Sequence, residues 1–196
     1  MTMIRGFCKE RLAKDTESGL DLNGQNELHS ACRLGRSLRT VRKIVAGCPD
    51  NMLAVDGENK TPLHLAAESK GSKKIIEFLL SECAEAASIQ DNDGATPLHI
   101  LCEKKSRLAL IEKVVDACPD SLGKVDNFNQ TPLHVAAKCC SLDVIDYLTA
   151  KHSGSAALRD HHGKTPLHNL MISVPEHEKV NEIEAFDSGI DWVEHM

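Results

Sequence analysis

Ten histidines and eight cysteines are the side chains in this 196-residue chain most able to do chemistry, as metal ligands, nucleophiles, general bases or disulfide partners. Their spacing argues against most of those uses. Local zinc ligation needs pairs such as Cys-x-x-Cys, and the close pair here is the adjacent Cys139-Cys140, which is poor chelate geometry. The sequence holds neither a Gly-x-x-x-x-Gly-Lys phosphate loop nor a zinc-binding helix motif. No metal and no cofactor is therefore expected. The first residues lack the apolar stretch of a secretory signal, and no run approaches the roughly 18 apolar residues of a membrane span. The expectation is an intracellular chain, cytoplasmic or nuclear, with no membrane span and with thiols kept reduced.

The positions of the histidines carry a different message. Thr-Pro-Leu-His recurs at 61–64, 96–99, 131–134 and 165–168, and Asn26-Glu27-Leu28-His29 is a degenerate copy one period earlier. The five histidines of these copies are 35, 35, 35 and 34 residues apart, and an aspartate lies eight residues before each: Asp21, Asp56, Asp91, Asp126 and Asp160. Two markers in one register define a repeat. A catalytic residue is expected once in a chain, so a histidine that recurs with the fold points to a structural role.

Each unit then reads in the same order. Asp-x-x-Gly/Asn supplies a tight turn whose last residue tolerates positive φ. Thr61, Thr96, Thr131 and Thr165 are placed to cap a helix, with proline at its first position, where the missing N–H costs nothing. A small apolar run follows each histidine, as in Leu65-Ala66-Ala67, and allows close helix approach. A second helix is predicted from apolar spacing at Val41, Ile44 and Val45, at Ile75, Ile76, Leu79 and Leu80, at Leu110, Ile111, Val114 and Val115, and at Val144, Ile145 and Leu148. No unit of this size buries its apolar face alone, so neighbouring units must stack.

The word Asp-x-x-Gly-x-Thr-Pro-Leu-His-x-Ala-Ala followed by an Ile/Val/Leu helix resembles the ankyrin repeat over roughly residues 20–185. The resemblance implies an all-α repeat solenoid, an ankyrin-like stack of helix-turn-helix units joined by β-hairpin loops. It divides the chain into an N-terminal capping helix (1–19), five repeats (about 20–54, 55–89, 90–124, 125–158 and 159–185) and an acidic tail (186–196). It also implies that His64, His99, His134 and His168 each bond within the threonine-capped turn and to the backbone of the adjacent repeat. The period departs from the family's usual 33 residues. Cys48-Pro49-Asp50, Cys83-Ala84-Glu85, Cys118-Pro119-Asp120 and His152-Ser153-Gly154 replace the family's Gly-Ala after the second helix. Their shared register predicts one alternative loop conformation.

The cysteines divide by register. Cys32 and Cys102 take the place of Ala67 and Ala137, and Cys48, Cys83 and Cys118 share one end-of-helix position, so these five are expected as small buried residues. Cys8 lies outside the register and Cys139-Cys140 in a partly exposed turn. Beyond the repeats, Ile4, Phe7, Cys8 and Leu12 have the spacing of an N-terminal cap, and Val180, Ile183 and Phe186 that of a C-terminal one.

The resemblance implies a non-enzymatic module that binds another protein through a concave face of tips and first helices. The residues it places there are Leu22, Asn23, Glu58, Asn92, Asp93, Asn127, Phe128, His161 and His162 on the tips, and Glu68, Glu103, Lys104 and Lys138 on the first helices. Phe128 either packs on a neighbouring tip or anchors a partner, and the His161-His162 pair either is solvated or contacts one. Charge is uneven: the first 50 residues carry a net +3, the last 27 a net −6, and the chain −6. That balance argues against nucleic acid as a partner. A monomer is expected. Two other readings stay open, an inhibitory or regulatory subunit that uses the acidic tail, and a self-assembling scaffold.

Overall fold

Threonine followed by proline starts a helix for two reasons: the hydroxyl can accept from the first-turn N–H groups, and the proline ring sets φ near its helical value. The computed structural model describes residues 20–21, 23–69, 73–104 and 107–173, and its first helices begin where this chemistry puts them. They are Glu27–Arg33, Pro62–Glu68, Pro97–Cys102, Pro132–Lys138 and Pro166–Ser173. Second helices follow at Leu38–Gly47, Lys73–Glu82, Leu108–Ala117 and Leu142–Lys151. First helices pack on first helices of the neighbouring repeats, and second helices on second helices. The predicted capping helix, Cys8, the tail, and Val180, Ile183 and Phe186 lie outside the described residues.

Burial follows the register of the sequence. Leu28, Leu63, Leu98 and Leu133, each one residue before its histidine, are at most 2% exposed, and Ala66, Ala67, Leu101, Cys102, Ala136 and Ala137 at most 1%. Small residues at the last positions bring neighbouring first helices together without leaving voids. On the second helices Val41, Ile76, Ile111, Val114 and Val144 are buried to 1% or less.

The return loops confirm one shared conformation. Cys48, Cys83, Cys118 and His152 leave their helices at φ/ψ of −146°/85°, −151°/85°, −145°/82° and −146°/78°. Each enters a short 3₁₀ turn, at Pro49–Met52, Ala84–Ser88, Pro119–Gly123 and Ser153–Ala157. One expectation about the cysteines needs correction here. Cys48, Cys83 and Cys118 are half-buried rather than buried, because the capping residue sits at the end of the second helix instead of between helices. Cys32, Cys83, Cys102, Cys118, Cys139 and Cys140 are free thiols. Cys32 and Cys102 are fully buried as expected, and burial pushes the Cys32 thiol up to about 12.

The threonine-histidine pairs tie each repeat to the next. In His64, His99 and His134, Nδ1 accepts the N–H of Thr61, Thr96 and Thr131 at 3.1, 3.1 and 3.2 Å, with the threonine hydroxyl at 2.8, 2.9 and 2.9 Å. Nε2 lies 3.2, 3.0 and 3.2 Å from the carbonyl of Ala95, Gln130 and Lys164 in the following repeat. A carbonyl only accepts, so Nε2 carries the proton and the ring is neutral. His29 Nε2 reaches Lys60 O at 2.9 Å, and Asn26 stands in for threonine by donating its N–H to His29 Nδ1 at 3.3 Å and accepting the His29 N–H on Oδ1 at 3.0 Å. His168 corrects the expectation: it keeps the Thr165 hydroxyl at 2.7 Å but is exposed, since no further repeat follows it among the described residues.

Burial lowers the pKa of His29, His64, His99 and His134 below the ordinary 6.5. Folding therefore favours the neutral rings. Their contribution is whole above the unfolded-state value of 6.5 and is lost as pH falls below it, at most about 1.4 kcal/mol per histidine for each pH unit. Asp56 and Asp160, whose shifts lie below 3.8, leave the window from pH 6.5 to 5 to the histidines. The denaturant midpoint should stay level from about pH 8.5 to 7 and drop from about pH 6.5 to 5. A midpoint that is level across both windows contradicts the neutral buried rings.

Candidate functional site

The tips are built by one aspartate each. Asp56 Oδ1 accepts the N–H groups of Glu58 and Lys60, both at 2.9 Å, and the same pair of bonds recurs at Asp21, Asp91, Asp126 and Asp160. The third residue after each aspartate takes positive φ: Gly24 72°, Asn59 61°, Gly94 75°, Asn129 56° and Gly163 71°. Burial alone raises the Asp56 carboxyl, but donors from Lys60, the Gln25 side chain and Glu58 outweigh it and hold it below the ordinary carboxylate range. Such a tip is rigid because its turn is satisfied from within.

The expected β-hairpins are corrected to tight turns, because no strand forms among the described residues. Neighbouring tips share single bonds instead of a ladder. Gly57 N donates to Asn23 O at 2.9 Å, Asn92 N to Glu58 O at 3.0 Å, Asn127 N to Asp93 O at 2.9 Å and His161 N to Phe128 O at 2.9 Å. The side chains of Asn92 and Asn127 add a second line, to Gly57 O at 3.3 Å and Asn92 O at 2.8 Å. Gln25 and Gln130 cross to the next aspartate, Asp56 and Asp160, at 2.9 and 3.3 Å.

The structure thereby brings Asn23, Glu58, Asn92, Asp93, Asn127, Phe128, His161 and His162 into one exposed row, while Leu22 lies outside the described residues. Phe128 is 59% exposed, so it does not bury its ring on a neighbouring tip. Glu68, Glu103 and Lys138 are exposed at the ends of the first helices. Lys104 differs from expectation: it is half-buried and lies beyond Pro97–Cys102, its N–H turned back to Leu101 O at 3.1 Å.

Two linking residues, Lys60 and Gln130, were not singled out by the sequence. Lys60 Nζ pairs with Glu58 Oε2 at 3.0 Å and Glu68 Oε1 at 2.8 Å, joining a tip to a first-helix end. Lys138 Nζ donates to Gln130 Oε1 at 2.8 Å and does the same one repeat pair later. Their signal was available, since Gln25, Lys60, Gln130 and Lys164 share the position just before the helix cap. Arg107 gave no such signal: its guanidinium reaches Ala67 O at 2.8 Å and Ser69 O at 3.0 Å, about 40 residues away, and seals the end of Pro62–Glu68. Among the described residues no group of three or more His, Cys, Asp or Glu is placed to hold a metal.

A Cβ at Gly94 would stand 2.8 Å from Asn127 N and 2.7 Å from its Oδ1, whereas at Gly163 nothing lies within 4 Å. Both glycines have positive φ, so alanine costs about 1 kcal/mol at Gly163 through the backbone alone and more at Gly94, where it also strains the tip-to-tip bond. Thermal melts of Gly94→Ala and Gly163→Ala should show the larger loss for Gly94→Ala; equal losses contradict the tip stacking.

A family model described as ankyrin repeats, in three copies, matches residues 4–91, 28–120 and 78–159. No curated protein matches the chain. Ankyrin repeats are in general protein–protein interaction modules and typically are not enzymes. No helix among the described residues is long and apolar enough to cross a membrane. The stacked tips, the histidine bridges and the matched residues agree, and the chain belongs to the ankyrin-repeat family.

Proposed function

We propose that this chain binds a partner protein through the row of tips and the adjoining first-helix ends, with Phe128 as its aromatic anchor. The observation that carries the reading is a ring 59% exposed on a turn locked by its own aspartate and by the neighbouring tip. A large apolar side chain held rigidly in water gives up little conformational entropy on binding, and aromatic residues dominate interface hot spots.

The charges around the anchor describe the partner. Glu58, Asp93, Glu68 and Glu103 place exposed carboxylates on the second and third repeats, with Lys60 offsetting part of that charge. Lys138, His161 and His162 flank Phe128 on the fourth and fifth repeats. A segment with basic residues toward the second and third repeats and an apolar residue at the fourth matches this order. A non-enzymatic role is supported by the repeat histidines, whose ring nitrogens are engaged in stacking at four of the five positions.

Affinity capture with the intact chain beside a Phe128/His161/His162 triple alanine variant identifies partners that depend on this face. For such a partner, Phe128→Ala should weaken binding about 30-fold, the size of a 2 kcal/mol hot spot, and leave the melting temperature unchanged. Unchanged affinity for a verified partner defeats the reading.

A further inference from the structure

The second helix of the first repeat, Leu38–Gly47, carries no acidic residue. Arg39, Arg42 and Lys43 are exposed on it, and Arg33 and Arg36 are exposed just before it in the chain. None of these five cations forms an ion pair among the described residues. Leu38, Arg42 and Ala46 stand four residues apart in one row, with Arg39 and Lys43 in the row beside it, and the two rows line a shallow groove along the helix. The Arg42 guanidinium lies over the ring of Phe78 in the second repeat, 5.3 Å from its centroid. Stacking of this kind holds the planar fork in place before any ligand arrives.

Register shows that this charge belongs to one repeat. Arg39, Arg42 and Lys43 are the second, fifth and sixth residues of their helix. Those positions hold Lys74, Glu77 and Phe78 in Lys73–Glu82, Ala109, Glu112 and Lys113 in Leu108–Ala117, and Asp143, Asp146 and Tyr147 in Leu142–Lys151. Second helices pack side by side, so the stripe runs from three cations, through balanced pairs of opposite charge, to two carboxylates. Such a surface selects its ligand class. A flat anionic bilayer would meet cations over one helix and carboxylates farther along. A nucleic acid would need a longer basic track and open aromatic faces for its bases, and Phe78 is already covered by Arg42. An acidic peptide needs neither. A ten-residue helix is about 15 Å long, the length of four or five extended residues, and guanidinium groups pair with carboxylates two bonds at a time.

We propose that the outer face of Leu38–Gly47 is a docking site for a short acidic segment of a partner protein, bound extended along the groove. Its aspartate or glutamate carboxylates pair with Arg39, Arg42 and Lys43, and an apolar side chain between them rests on Leu38. The driving force is charge complementarity over a strip one helix long, which sets a modest affinity, a fast association and a steep salt dependence. The site lies on a second helix, whereas the row read as a binding face is made of tips and first-helix ends, so the two surfaces stand or fall separately.

Fluorescence anisotropy on the intact chain tests it, with a labelled oligoglutamate peptide carrying one central leucine as the probe. At about 50 mM salt the peptide should bind at least about 10-fold more tightly than its glutamine counterpart, and raising salt to about 300 mM should cost at least about 10-fold. Arg39→Glu with Lys43→Glu should weaken binding at least about 10-fold and leave the melting temperature unchanged, since both side chains are exposed. Lys113→Glu with Lys151→Glu makes the same change in net charge on the third and fourth repeats and should stay within about 2-fold. Phe128→Ala should leave peptide binding unchanged, which separates this face from the tips. Four results overturn the assignment. The first is an intact chain that does not bind the peptide. The second is a loss in the Lys113/Lys151 variant or in Phe128→Ala equal to that in the Arg39/Lys43 variant. The third is binding to vesicles of phosphatidylcholine and phosphatidylserine that the Arg39/Lys43 variant abolishes, which makes the ligand a membrane. The fourth is a mass in light scattering that rises with concentration and falls back in that variant, which puts Asp143 and Asp146 of a second copy on the helix.

Discussion

The rest of this structure depends on a buried imidazole that bonds in two directions. Nδ1 accepts from the threonine that starts its own helix, and Nε2–H donates to the carbonyl just before the next repeat's threonine. One side chain thus fixes the start of a helix and its distance from the following one. Repetition of this device at His29, His64, His99 and His134 sets the spacing of the first helices, and that spacing brings successive tips within reach of a single backbone bond. Apolar burial supplies the bulk of the stabilisation but does not set the register. Leucine and alanine pack at several offsets, whereas a hydrogen bond forms at one.

The exposed row of tips is a consequence of the same constraint. Since each aspartate satisfies its turn internally, the side chains at the second tip position are not needed to hold the turn. They vary freely from repeat to repeat: Asn23, Glu58, Asp93, Phe128 and His162 occupy one position. A fixed frame with interchangeable side chains is the arrangement that lets one fold present different binding surfaces. Here it presents acid, then an aromatic ring, then imidazoles.

Much of this was legible in the sequence because the repeat is written in residues with narrow conformational roles. Thr61-Pro62, the Asp56-to-Asn59 turn and His64 each admit few conformations, and together they locate a helix start, a tip and a bridge. The loop shared by Cys48, Cys83, Cys118 and His152 was readable from register alone. What escaped depends on distance or on the ends of the stack. Arg107 contacts carbonyls two helices away, and nothing near it in sequence marks that reach. His168 carries the full motif yet bonds in one direction, because the motif encodes a request for a neighbour and not its presence. Cys140 adopts φ of 51° at the position of Gly35, a left-handed conformation that cysteine does not announce.

The central claim concerns protonation as well as position, so the ring nitrogens themselves are the direct test. Nitrogen-15 spectra of the histidine side chains at pH 6, below the ordinary imidazole value of 6.5, report tautomer and charge one ring at a time. The account predicts that His64, His99 and His134 remain neutral with the proton on Nε2, while exposed His161 and His162 exchange with solvent. Rings at 64, 99 and 134 that carry the proton on Nδ1, or that are charged at this pH, contradict it.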